Sequence, residues 1–337
     1  MNIDDIINSI DSNNLDIAFG RVVNISAVTL SAVGLDVAVG DIVRIESAQK
    51  LYTVLGMVTV LKDGLFVIVP FSFIDGFKIN DKVFLQRDGL TVKCGNGLLG
   101  RVVNALGDPI DDLGKIKDLD TNAPINKESM SPLDRGIIDK KFATGVKAID
   151  SMLTCGKGQK VGIFAGSGVG KSTLMGMIVQ GCEATIKVIA LVGERGREIP
   201  EFIHYNLNNN LENTVIVTAT SDESPLMRKY AAFTAMTIAE YFRDKGYDVL
   251  LMMDSVTRFA MAQREIGLST GEPPVSRGYP PSVFALLPQL MERAGNSKKG
   301  SITAFFTVLV DGDDLNDPIA DQSRSILDGH IVLTRDL

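Results

Sequence analysis

Apolar residues along this chain change their period three times, and each change predicts a different kind of structure. Ile3, Ile6, Ile7 and Ile10 recur at i, i+3, i+4, i+7, which predicts a short amphipathic helix over 2–10. A helix that short is marginal alone, so its stripe needs a surface, either its own domain or a partner protein. From Ile17 to Val92 short β-branched runs take over, such as Gly20–Ile25, Asp41–Ile45, Tyr52–Val58 and Leu65–Val69, punctuated by Val33-Gly34, Val39-Gly40, Asp63-Gly64 and Asp88-Gly89. Repeated short strands with such turns predict a small β-barrel.

Residues 93–145 mix glycines, prolines and charges with little periodicity and are expected to form a connector packed on the next domain. From 146 onward apolar strand-like runs alternate with helical patterns. Strands are expected at 160–165, 187–192, 214–218, 249–253, 302–310 and 330–334, and helices at 171–184, 198–209, 225–245, 256–265, 282–294 and 317–327. The implied fold class is α/β, a mostly parallel sheet covered by helices, behind an N-terminal barrel. The expected domains are 1–92, 93–145 and 146–337.

One turn in this alternation carries chemistry. Val161–Ala165 reads as a strand, Gly166-Ser167-Gly168-Val169-Gly170 as a loop, and Lys171-Ser172-Thr173 opens a helix. Glycines at 166, 168 and 170 let backbone N–H groups converge on an anion at a helix N-terminus. Lys171 would reach the β- and γ-phosphates, and the Ser172 hydroxyl would ligate Mg²⁺. The strict motif begins with glycine, where this chain has Ala165.

Composition narrows the remaining classes. With 34 basic and 41 acidic residues the net charge is −7, which marks neither a nucleic-acid coat nor a membrane-surface protein. Cys94, Cys155 and Cys182 stand in no metal spacing and read as cytosolic thiols. Only two histidines, His204 and His330, are present, which speaks against a His-rich metal site or a Ser-His-Asp hydrolase; both are assigned to structure. The acidic N-terminus and the lack of an apolar run near 18 residues predict a cytoplasmic, soluble protein.

Two strand ends supply candidate carboxylates. The apolar run Val249–Met253 ends at Asp254, where a parallel strand meets the ligand crevice, so Asp254 is a candidate Mg²⁺ ligand beside Ser172. Lys187–Val192 runs into Gly193-Glu194-Arg195-Gly196-Arg197-Glu198. Glu194 is placed either to polarise an attacking water or to make a helix-entry salt bridge.

Taken together, Ala165–Thr173, Gly193–Glu198, Asp254-Ser255-Val256-Thr257-Arg258, Arg277–Phe284 and Asp313–Pro318 resemble the rotary ATPase superfamily. Within it the chain is most similar to the type III protein-export ATPases, the flagellar branch in particular, on Gln263–Leu268 and Gly271-Glu272-Pro273-Pro274. That branch also tends to carry alanine at the position of Ala165.

The resemblance implies an N-terminal β-barrel, a RecA-like P-loop NTPase core and a later helical domain, in a homo-hexamer with ATP between neighbours. It assigns phosphate binding to Lys171, Mg²⁺ to Ser172 and Asp254, and water activation to Glu194. Arg195 and Arg258 would lie near the phosphate or form structural ion pairs. Pro273–Pro281 would face the ring centre or serve as a rigid loop, and Asp313, Asp314 and Asp317 are assigned to structure. Residues 1–10 would dock a regulatory stator protein, with export-gate proteins, chaperones and substrates as further partners, at the periphery of the inner-membrane export apparatus and without nucleic acid.

The implied adenine-stacking aromatic, trans-acting arginine and helical domain follow the position of Leu337. The chain is therefore expected to be a truncated form that binds nucleotide weakly, stays mostly monomeric and turns over little. Alternatives on the same core are the catalytic subunit of an ion-translocating ATP synthase, a non-flagellar secretion ATPase, a hexameric nucleic-acid translocase and a non-hydrolysing subunit.

Overall fold

The structure is a computed structural model and describes residues 18–47, 52–166, 168–310, 314 and 316–334. The helix expected at 2–10 lies outside these residues, as do Ser167 and Asp313. The chain divides into two units, Met1–Gly89 and Leu90–Leu337.

Six strands build the first unit: β1 (Phe19–Ile25), β2 (Leu30–Val33), β3 (Ile42–Glu46), β4 (Thr53–Lys62), β5 (Leu65–Pro70) and β6 (Lys82–Gln86). They close in the order β1-β2-β5-β4-β3-β6, with β6 pairing back onto β1, so the sheet has no free edge. Alternation does the sorting. In β1, Val22 is buried while Arg21 and Val23 face out; the interior is filled by Val22, Leu30, Val43, Ile45, Phe66 and Ile68. Register shifts at Val22/Asn24 and Val58/Val60 supply the bends that closure requires.

The second unit begins with short strands, β7 (Thr91–Cys94), β8 (Val102–Val103), β9 (Thr121–Pro124), β10 (Lys141–Phe142) and β11 (Cys155–Gly156). Longer ones follow: β12 (Lys160–Ala165), β13 (Ile186–Glu194), β14 (Thr214–Thr220) and β15 (Asp248–Asp254), then β16 (Gly295–Asn296), β17 (Ser301–Leu309) and β18 (Gly329–Leu333). The main sheet runs β18-β12-β17-β15-β13-β14-β8, parallel throughout, with β16 antiparallel on β17.

Residues 93–145 do more than connect. β8 joins the sheet edge against β14, β7 pairs with β9, and Arg101 forks onto both carboxylate oxygens of Asp111 at 2.7 Å. Arg135 donates to the carbonyls of Glu292 and Ala294. Low periodicity hid this, because two-residue strands have no pattern to read.

The helices span Lys147–Met152, Lys171–Gly181, Glu198–Glu201, Pro225–Asp244, Val256–Ser269, Pro281–Met291 and Pro318–Ile326. Pro225–Asp244 is buried nearly all round, its charged Lys229, Glu240 and Arg243 included; Ser224 caps it by accepting from the Met227 N–H. Asp317 caps Pro318–Ile326 in the same way through the N–H groups of Ile319 and Ala320. Where one helix was expected over 198–209, an α-turn gives way to a π-turn, Phe202–Asn206, closed by Leu207 N–H to Phe202 O at 3.2 Å. His204 and His330 pack edge-on against Tyr205 and Phe164.

Candidate active site

Four parallel strands finish side by side. Ala165 at the end of β12 pairs with Leu309 at the end of β17, and Leu191 near the end of β13 pairs with Asp254 at the end of β15. Everything placed just past these residues shares one carboxyl edge of the sheet, where open α/β folds hold ligands. Ala165 is fully buried as the last strand residue, so its methyl fits where the strict motif has glycine.

Gly168 and Gly170 take φ of 75° and 95°, a region side chains with a Cβ avoid, and so turn the chain into the Lys171–Gly181 helix. The first N–H groups of that helix have no partner within it and face an incoming anion. The resulting cleft, of about 690 Å³, is lined by Gly166, Gly168 and Gly170 with Lys171–Thr173 on one side, and by Glu194, Asp254 and Arg258 on the other. Arg195 reaches its rim, 65 % exposed and 3.9 Å from Glu198. Val169 belongs to the same turn without lining the cleft, and Ser167 lies outside the described residues.

Inside the cleft charges are closely set. Lys171 Nζ lies 2.5 Å from Asp254 Oδ1 and 3.9 Å from Glu194 Oε1, and the Thr307 hydroxyl donates to the same Asp254 oxygen at 2.7 Å. Glu194 Oε1 is buried without a hydrogen-bond partner among the described residues. Loss of solvation pushes the Glu194 carboxyl up to about 7, helped by a hydrogen bond with Glu198 and by repulsion from Asp254; Lys171 and Arg258 pull the other way. The same hydrogen bond holds Glu198 below its ordinary value. Of the two, Glu194 is the one held above its ordinary value and Glu198 the one held below it.

Gly193 sets the direction of Glu194. It lies at a register shift between β13 and β14 with φ of 67°, and a Cβ there would stand 3.2 Å from Arg258 Cβ. Arg258 Nε is itself buried without a partner among the described residues. Gly193→Ala is therefore expected to cost about 1–2 kcal/mol, from the left-handed backbone alone, and to displace Arg258; thermal denaturation checks the loss.

Sequence reasoning missed Glu198 as a partner of Glu194, reading it as solvated charge. It missed Thr307, whose only signal was a hydroxyl among the apolar residues of a buried strand that also carries Ser301 and Thr303, and Asn206, which donates to the Ser172 carbonyl at 3.1 Å. The proline-rich loop carries Arg277, paired with Asp314 at 2.9 Å, and Tyr279 beneath Arg264. Neither side of that loop enters the cleft described above.

Residues 145–337 match the model of the ATP synthase alpha/beta family, nucleotide-binding domain. A flagellum-specific ATP synthase of Helicobacter pylori strain J99 is 61 % identical over 320 residues, covering 95 % of this chain and 73 % of that protein. The assembled ATPase EscN of the enteropathogenic E. coli type III secretion system is 47 % identical with a TM-score of 0.89, covering 94 % of this chain and 76 % of that one. EscN in complex with its central stalk EscO gives 46 % identity and a TM-score of 0.86 over the same shares.

Proposed function

The chain belongs to the ATP synthase alpha/beta family, and from that premise we propose that it hydrolyses ATP with Mg²⁺ to serve flagellar protein export. The observation that carries the reading is the convergence of Lys171, Asp254 and an unpartnered Glu194 oxygen in one cleft behind a glycine turn. The flagellar assignment rests on 61 % identity to a flagellum-specific relative over 95 % of this chain, against 47 % to EscN over 94 % and 55 % to another type III secretion ATPase over 74 %.

Each role follows from position. Lys171 trades its contact with Asp254 for the β- and γ-phosphates, a cation moving from one oxygen anion to another. Glu194, with a carboxyl pushed up to about 7, is matched to take a proton from water near neutral pH. Arg258 brings an unpaired buried donor toward the developing phosphate charge, and Arg195 acts from the rim.

The donor set fits a hard cation that arrives with the nucleotide. No group of three or more His, Cys, Asp or Glu side chains is set to hold a metal ion among the described residues. Magnesium bound through few protein oxygens and the substrate's phosphates needs no such cage, and Ser172 and Asp254 would hold it. When bound it supplies charge neutralisation on the phosphates. Asp254→Asn is expected to erase most of the gain in ATP affinity that Mg²⁺ confers, roughly tenfold or more, while Mg-free binding persists. Calorimetric titration of ATP with and without Mg²⁺ tests both the role and the reading; an unchanged magnesium dependence would refute it.

Assembly belongs to the same proposal: a homo-hexamer, cytoplasmic and peripheral to the inner-membrane export apparatus. Residues 1–10 would bind a regulatory stator, and export-gate proteins, chaperones and substrates would be partners, without nucleic acid. No helix among the described residues is long and apolar enough to cross a membrane.

A further inference from the structure

Away from the phosphate cleft, the buried Pro225–Asp244 helix contributes a lysine to a second cavity. Lys229 is only 9 % exposed, yet its ammonium makes no ion pair or hydrogen bond to any described residue. It rests instead over the face of Tyr230, 5.6 Å from the ring centroid. A buried ammonium with neither carboxylate nor carbonyl is costly, and natural proteins seldom keep one without a purpose.

The cavity it lines measures about 580 Å³, within the range of small-molecule sites. Tyr230, Phe233 and Leu286 give it apolar walls, and Asn126 and Gln289 add amide groups. Arg293 also borders it but is already neutralised by Glu240, its Nη2 lying 2.7 Å from Oε2. Glu128 and Lys127 stand exposed at the mouth, where solvent screens them. Among the described residues that line the cavity's interior wall, Lys229 is thus the cation that no ion pair neutralises, Glu272 acting on it only through space.

We propose that this cavity is a second ligand site, taking a singly charged organic carboxylate with a flat apolar body. The carboxylate would pair with Lys229, and the body would lie against Tyr230 and Phe233. One free cation matches one negative charge, and the ring faces favour an aryl group over a polyanion such as a nucleotide. Burial pushes the Lys229 ammonium down to about 8, partly opposed by Glu272, so the site is still charged at neutral pH. The proposal is independent of what the phosphate cleft does.

Benzoate and its neutral counterpart benzyl alcohol are the probes, titrated at pH 6.5 by ligand-observed NMR against the wild type, Lys229→Met and Lys229→Gln. Benzoate is expected to bind roughly tenfold or more tightly than benzyl alcohol, with the difference abolished in either variant that still unfolds cooperatively. Crystals soaked in 4-bromobenzoate should place the bromine signal between Tyr230 and Phe233, a readout that needs no variant. Equal binding of the two probes, a preference that survives loss of the lysine, or bromine found only in the phosphate cleft would overturn the proposal.

Discussion

Glu194→Gln is expected to lower Mg-ATP turnover by about 10²–10⁴ while raising the melting temperature of the nucleotide-free protein above neutral pH. The two effects have one cause. The carboxylate suited to accept a proton from water is the one that burial and Asp254 make costly to ionise. Its folded value of about 7 lies above the ordinary 4.5. The stability associated with the protonated form is therefore full below 4.5 and lost as pH rises through about 7.

A glutamine amide at this position does not titrate, so the variant's advantage should be absent at about pH 4, grow from about 5 to 7 and level off above that. The rise from 4.5 to about 7 sets a ceiling near 3 kcal/mol, and the opposing displacement of Glu198 keeps the expected gain below it. Steady-state turnover and melting curves at pH 5 and pH 8 check both halves. Near-normal hydrolysis by the variant would remove Glu194 from the chemistry, and a pH-independent stability difference would remove the burial account of its proton. A residue whose removal stabilises the fold and stops the reaction is what a strained functional position looks like.

Glu240→Ala is expected to cost about 3–5 kcal/mol. Arg293 is among the most completely buried large side chains, 1 % exposed, with its guanidinium on both Glu240 oxygens at 3.1 and 2.7 Å. The same guanidinium donates to the Thr237 hydroxyl and to the Ile125 carbonyl, both at 2.9 Å. It thereby ties the Pro225–Asp244 helix to the end of the Pro281–Met291 segment and to residues 93–145.

Removing Glu240 leaves a charge in an interior that cannot solvate it. Replacing both members, as in Glu240→Leu with Arg293→Met, should recover much of the loss, because the desolvation of two ions then disappears with their attraction. Chemical denaturation of the single and double variants distinguishes a charge effect from a packing effect. A double variant as unstable as Glu240→Ala would show that shape, rather than charge, is what the pair provides.

The sequence alone determined the parts whose causes are local. Val161–Ala165, Lys187–Val192 and Val249–Met253 are runs of apolar residues bounded by charges or glycines, and such runs must leave water whatever surrounds them. Gly168 and Gly170 before Lys171 need left-handed backbone that few other residues allow, so the glycine turn was legible, as was the place of Asp254 at its strand end. Short β-branched runs broken by glycine turns between Ile17 and Val92 announced a barrel, because both the strand preference and the turn chemistry act without reference to distant chain.

Tertiary structure decided what depends on neighbours far away in sequence. Whether Glu194 makes a surface salt bridge or holds a proton was decided first by its removal from water, and then by the balance between Asp254, which raises it, and Lys171 and Arg258, which lower it, all brought beside it by the spatial order of β12, β17, β15 and β13. Thr307 became a hydrogen-bond donor to Asp254 only when β17 was inserted next to β15. Arg293 and Glu240 read as ordinary charges until the fold removed water from both, and Lys229 until it was left with none to pair with. Hydrophobic periodicity reports which side chains must be covered; the free energy of a charge depends on what covers it, and that is fixed only when the strands and helices have packed.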